Sequence, residues 1–209
     1  MPYKKIATRL LLGAALTCLN SANAITIDYS STVNSSIHFD GANHFDFLPA
    51  ANSFHVDSGT AAGLLGDMAG SYSIGDITTF FGVSLAPVTG AGTLVIHDGA
   101  FDLSSNLVWS TIVQLGSGDF LNVSATVNLT GITYGGANPD LLALATAGSG
   151  MDVLSFQFVP PVSLASLKTS VHDASFSGSI SDVPDSGLSL SLLGFALMGI
   201  EGLRRKLRK

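Results

Sequence analysis

The sequence predicts an all-β protein whose central part is an antiparallel β-sandwich or jelly roll. Several segments alternate apolar and polar residues with a period of two, and Gly-rich stretches separate these segments. No regular succession of strands and long helices indicates a parallel sheet. Hydrophobic residues make up 46% of the 209 residues, which is enough for the buried core of one sizeable domain.

The strands of this domain can be placed in chain order from the alternation. They are predicted at residues 25–29, 71–81, 93–97, 107–114, 121–129, 154–158 and 174–180. Gly-rich breaks fall at 90–92, 116–118, 135–136 and 148–150. Two short segments, 61–69 and 140–147, are the main helical candidates, although either could be a strand or a loop. Trp109 lies in an apolar run, which favours the core over an exposed sugar platform.

The charges divide the chain into three parts. Between Ile25 and Asp182 there is one basic residue, Lys168, against 13 Asp, so this part carries a net charge of −12 with His neutral. A surface of this kind repels phosphate groups and therefore argues against nucleic acid as a partner. The single cysteine, Cys18, precedes this part, so stability there must come from packing and backbone pairing.

The first 24 residues have the features of a secretory signal peptide. Three basic residues precede an apolar stretch at 10–19 that is short for a membrane span, and Ala22 and Ala24 form an A-x-A cleavage site. We therefore expect export by the Sec machinery and cleavage after Ala24. A retained N-terminal anchor is the alternative, and Thr17 before Cys18 makes a lipoprotein signal a minor option.

The last 27 residues combine three features. A five-residue segment, Val183, Pro184, Asp185, Ser186 and Gly187, precedes the apolar run 188–203, and a basic tail follows at 204–209. The run would span about 24 Å as a helix, which is short but sufficient for a transmembrane helix, and the tail would stay cytoplasmic. Pro184 and Gly187 favour an extended, accessible backbone before the membrane.

This arrangement resembles the PEP-CTERM class of sorting signals in its VPDSG variant, and Val183 to Gly187 match the motif residue by residue. The resemblance implies an exosortase, an integral-membrane enzyme, as the partner that recognises the motif and cleaves near it. It also implies an inner-membrane intermediate in a Gram-negative bacterium, followed by transfer to the cell envelope or the exterior. Glu201 in the apolar run departs from the pattern. An ordinary single-pass anchor is the alternative.

No catalytic set can be identified between the two terminal signals. His–Asp pairs recur at His38–Asp40, His97–Asp98 and His172–Asp173, but adjacent residues of a strand point to opposite faces, and no zinc-ligand spacing occurs. We expect no cofactor, and calcium is the best metal candidate. Its possible oxygen ligands form two sets, Asp40, Asn43 and Asp46, and Asp98, Asp102 and Asn106.

These features predict a non-enzymatic, secreted protein with three parts: a signal peptide at 1–24, a β-domain at 25–182 and a sorting signal at 183–209. Its expected role is structural or adhesive, in the envelope or in a biofilm matrix with exopolysaccharide. The alternative is a calcium-dependent carbohydrate-binding module, and an extracellular hydrolase ranks last.

Overall fold

The computed structural model describes residues 25–115 and 123–182, which form antiparallel strands and two short helices. The strands are β1 Thr26–Ser31, β2 Ser36–Asp40, β3 His44–Leu48, β4 Phe54–Val56, β5 Leu65–Ile74, β6 Thr78–Phe80, β7 Val83–Asp98, β8 Phe101–Leu115, β9 Val123–Thr133, β10 Ser149–Phe156, β11 Val171–Ala174 and β12 Phe176–Asp182. The helices are α1 Pro139–Ala147 and α2 Leu164–Thr169.

The sheet closes into a barrel, so the all-β prediction is confirmed, but the predicted sandwich or jelly roll is wrong. Eight strands follow one another in the order β5, β4, β1, β12, β10, β9, β8 and β7, and pairing of β5 with β7 closes the ring. Strands β3, β2 and β11 extend outward from β5, and β6 extends from β7. Closure requires β5 to bond neighbours on both of its edges, which the alternation pattern does not reveal.

Strands β7 and β8 are long enough to bend around the barrel, at 16 and 15 residues. Their register shifts between Pro87 and Gly92, an irregularity that permits bending. The Gly stretch at 90–92, predicted as a break, therefore lies inside β7. A Cβ at Gly92 would lie 1.8 Å from the Tyr72 hydroxyl oxygen, so glycine allows the ring to cross the strand.

Aromatic side chains fill much of the core and join the outer strands to the barrel. Trp109 is buried, as predicted, and its ring centroid lies 4.8 Å from that of Phe45 on β3. Phe39 on β2 contacts Phe156 on β10 with centroids 5.6 Å apart. Because these rings come from outer and barrel strands alike, the outer strands share the main core.

One of the two helical candidates is a helix. At 140–147 the chain forms α1, where the Asn138 side chain caps the first turn and Gly148, with φ +70°, ends the last. The candidate at 61–69 is instead a turn followed by β5. Gly66 lies in this strand with its bare Cα under the Phe54 ring, where a Cβ would be 2.1 Å from Cζ. The predicted strand 71–81 divides into β5 and β6.

Candidate functional site

The two ends of the described barrel lie on adjacent strands. Strand β12 ends at Asp182, the residue before Val183, and β1 begins beside it with Thr26 paired to Ser181. Any segment that follows Asp182 and any segment that precedes Ile25 therefore leave the barrel at the same place.

All of the sequence-predicted processing residues lie outside the described residues. These are Ala22 and Ala24 of the signal peptide, the motif residues 183–187, the apolar run 188–203 and the basic tail. The predicted signal peptide and transmembrane helix stay predictions. In the part of the chain that the structure describes, neither helix has the length and apolar character that a membrane span needs.

The three recurring His–Asp pairs do not form three copies of one device. The His38 Nδ1 lies 2.8 Å from the Asp173 Oδ1 across β2 and β11, which joins the first motif to the third. His172 instead contacts the Ser166 hydroxyl at 3.0 Å. Adjacent His and Asp therefore point apart in the strands, as the sequence predicted.

His97 lies between two carboxylates on neighbouring strands. Its Nδ1 is 3.0 Å from Asp102 on β8, and its Nε2 is 3.1 Å from Asp67 on β5. The hydrogen bond to Asp102, followed by that to Asp67, raises the pKa of His97 above its usual 6.5, although partial burial opposes this. Asp98, next in sequence, accepts a hydrogen bond from the Tyr134 hydroxyl instead.

Several calcium candidates are engaged by the protein itself. The Asp40 carboxylate accepts hydrogen bonds from the backbone N–H groups of Ala42 and His44, at 2.7 and 3.1 Å, which lower its pKa. Asn43 occupies the same turn with φ +67°. Within residues 25–115 and 123–182, no three His, Asp or Glu side chains are arranged to hold a metal ion. The calcium hypothesis nevertheless stays a prediction.

The other candidates line two shallow depressions. Asp46 borders one of about 250 Å³, together with His38, Asp40, His44 and Ser71, and its Oδ1 is buried without a hydrogen-bond partner. Asn106 borders another of about 200 Å³. Together with Asn43, Asp46 and Asn106 are therefore the calcium candidates for whose side chains the described structure records no hydrogen bond.

A buried acid that was not predicted from the sequence lies inside the barrel. Asp152 on β10 is fully buried, and both carboxylate oxygens accept from the Tyr29 hydroxyl, at 2.9 and 2.8 Å. Burial raises the pKa of Asp152 to about 7, while the hydrogen bond from Tyr29 opposes the shift. Burial also raises the pKa of Tyr29. The sequence did contain one indication of this burial: Asp152 is two residues from Leu154, so the two side chains point to the same face of β10, and Leu154 is buried.

An exposed apolar hairpin joins β6 to the beginning of β7. Phe80 and Phe81 are 68% and 91% exposed, and Leu85 and Leu115 stand exposed beside them. Phe81 and Gly82 both have positive φ, +47° and +79°, in a two-residue turn that favours Asn at its first position. Burial of the Phe81 ring therefore does not offset the strain of its backbone conformation.

The end of the chain matches one family model. The model, described as the VPDSG-CTERM motif, covers residues 182–207 and is a C-terminal sorting signal of the PEP-CTERM type. This confirms the resemblance seen in the sequence. The signal implies an exported protein that passes through the membrane and is processed by an exosortase. No curated protein and no solved structure matches the chain.

Proposed function

We propose that this chain, which carries a PEP-CTERM-type sorting signal, is delivered by an N-terminal signal peptide and becomes a structural or adhesive protein. Its final location is the envelope or the extracellular matrix of a Gram-negative bacterium. The observation that carries the proposal is the match at residues 182–207. In the intermediate, the Sec machinery has exported the barrel and residues 188–203 hold it in the inner membrane. An exosortase then acts at Val183 to Gly187.

The exposed hairpin supports an adhesive role. Large apolar groups exposed together are a feature of interaction surfaces, and Phe80, Phe81, Leu85 and Leu115 carry no charge. When the paired residues are followed from β12 through β10, β9 and β8 to β7, Asp182 is level with Gly92. Gly92 lies nine residues along β7 from Val83, where the hairpin ends. The hairpin is thus well separated along the strands from the attachment point of the sorting signal, and exopolysaccharide is its proposed partner.

A non-enzymatic role is part of the same proposal. The sequence lacks a G-x-S-x-G nucleophile motif, and its only cysteine precedes the predicted cleavage point after Ala24. The scattered Asp residues do not select a catalytic pair by spacing. The His–Asp contacts described above link neighbouring strands and support a role in stabilising the sheet.

Processing can be tested by mass spectrometry of the C-terminus in the producing organism. We expect the extracellular wild-type protein to lack residues 188–209. A double variant, Pro184→Ala with Asp185→Ala, should stay in the membrane with its tail attached. Ser177→Ala, an exposed position on β12, is the matched control and should be processed normally. Wild-type extracellular protein that retains its tail would contradict exosortase processing.

Adhesion needs a separate measurement on the exported, processed protein. Wild type should co-sediment with exopolysaccharide from the producing strain, and Phe80→Ser with Phe81→Asn should co-sediment less. Val33→Ser, a control at an equally exposed apolar residue away from the hairpin, should behave as wild type. Equal sedimentation of all three would argue against the hairpin as the adhesive surface without affecting the sorting conclusion.

A further inference from the structure

The first and last residues of the described sheet hold each other through two hydrogen bonds. The Ile25 N–H donates to the Asp182 Oδ1 at 2.9 Å, and the Asp182 N–H donates to the Ile25 carbonyl oxygen at 3.3 Å. These contacts extend the pairing of β1 with β12 by one position beyond Thr26 and Ser181. Both residues are partly exposed, so solvent reaches the pair.

Signal-peptide cleavage after Ala24 would change the chemistry of this contact. Hydrolysis breaks the Ala24–Ile25 peptide bond: the hydroxyl of water joins the Ala24 carbonyl carbon, and a proton joins the Ile25 nitrogen. An α-amino group ordinarily has a pKa of about 7.7–8.0 and is mostly protonated at neutral pH. The nitrogen that faces Asp182 as an amide would therefore face it as an ammonium group.

We propose that cleavage after Ala24 creates an ion pair between the Ile25 α-ammonium and the Asp182 carboxylate, which fastens β1 to β12 immediately before the sorting motif. The inference rests on the signal peptide of the proposed function. A hydrogen bond from an ammonium group to a carboxylate is stronger than the hydrogen bond from the neutral amide N–H that it replaces. Signal-peptide cleavage would thus stabilise the end of β12, from which the sorting signal that begins at Val183 leaves the barrel.

The charge distribution makes the N-terminus the natural partner of Asp182. Lys168 is the only Lys or Arg between Ile25 and Asp182. Its Nζ donates to the Gly75 carbonyl oxygen at 2.7 Å and lies 4.0 Å from Asp76. The one Lys or Arg in the described part of the chain is therefore engaged elsewhere, and a new ammonium at Ile25 is already within hydrogen-bond distance of Asp182.

A double-mutant cycle on the exported protein, after signal-peptide cleavage, tests the ion pair. Insertion of Ser-Gly after Ala24 keeps the A-x-A site but moves the new ammonium two residues away from Asp182. Asp182→Asn removes the other charge. We expect each change to lower Tm by about 1–3 °C, and both together to lower it no more than one alone. The effect of the insertion should shrink at high salt, because salt screens exposed pairs.

The control is Asp28→Asn, which removes an exposed charge from the same strand, and its effect should add to that of the insertion. If the insertion prevents folding, selective acetylation of the wild-type α-amine removes the same charge. N-terminal sequencing separates the possible failures. A mature chain that does not begin at Ile25 overturns both the pair and the predicted cleavage point. A chain that begins at Ile25 but shows additive effects overturns the ion pair and leaves the sorting proposal intact.

Discussion

The Tyr29 hydroxyl donates to both carboxylate oxygens of Asp152, across the intervening strand β12. The tyrosine ring crosses β12 at Gly178, where a Cβ would lie 2.2 Å from the hydroxyl oxygen. The acid is fully buried, and the Tyr29 hydroxyl is the one hydrogen-bond donor that the described structure records for its side chain. Ionisation of Asp152 therefore opposes folding. The absence of a side chain at Gly178 allows the Tyr29 hydroxyl to reach the Asp152 carboxyl group.

Asp152 should make the stability of the protein fall as pH rises above about 4. The folded-state pKa is about 7 against an ordinary 3.8, so the folded protein keeps this proton to a higher pH than the unfolded chain. The stabilisation is complete below the unfolded pKa and is lost as pH rises through the folded one. Between pH 5 and pH 8 the loss is about 2–3 kcal/mol.

Asp152→Asn should remove this contribution, because an amide cannot ionise yet still accepts a hydrogen bond from Tyr29. Denaturant unfolding across the pH range would measure the slope. Asp28→Asn, at an exposed position, serves as the control and should leave the slope unchanged. Identical slopes for wild type and Asp152→Asn would show that Asp152 is not the group responsible.

Gly178→Ala should destabilise the barrel by about 1–3 kcal/mol, the usual cost of overpacking a core. The added methyl would lie 2.2 Å from the Tyr29 hydroxyl oxygen and 2.4 Å from its Cζ, so the ring must move away from Asp152. Gly135→Ala is the matched control, since its Cβ would meet only Phe101 Cδ1, at an ordinary 3.7 Å. Equal unfolding free energies for the two variants would argue against the crossing.

Most barrel strands could be predicted from the sequence because alternation is local, whereas β2, β3 and β4 were not among the predicted segments. Residues such as Ile27 and Tyr29 lie inward with a period of two wherever one face is buried. The helix at 140–147 was a sequence candidate, and the structure supplies its end caps at Asn138 and Gly148. Barrel closure depends on which strands bond to both edges of β5, and such long-range pairing leaves no mark on local periodicity.

The same distinction applies to the candidate sites. The motif from Val183 to Gly187 is contiguous and could be identified directly. The Tyr29–Asp152 pair joins residues 123 positions apart and depends on the glycine of a third strand, so no local pattern reveals it. Asp40 and Asn43 suggested ligands by residue type, but a turn selects the same types for its own hydrogen bonds.

Calcium should not raise the Tm of the exported protein, because the Asp40 carboxylate already serves the turn at Ala42 and His44. Thermal unfolding with millimolar calcium and with a chelator measures this directly. Asp40→Ala should lower the unfolding free energy by about 1 kcal/mol, equally under both conditions. A calcium-dependent rise in Tm that Asp40→Ala or Asp46→Asn abolishes, together with sugar binding on a glycan array, would support the carbohydrate-binding alternative.

The pKa of His97 should depend on Asp102, its partner on the neighbouring strand, rather than on Asp98, its neighbour in sequence. Asp102→Asn removes the largest cause of the raised pKa, so we expect NMR titration of the His97 ring protons to give a lower pKa in that variant. Asp98→Asn is the matched control, since Asp98 binds the Tyr134 hydroxyl on the other face and its loss should leave the His97 titration almost unchanged. The raised pKa means that His97 stabilises the fold below its unfolded value and that this stabilisation is lost as pH rises through the folded value. A larger effect from Asp98→Asn than from Asp102→Asn would contradict the placement of these side chains on opposite faces of the sheet.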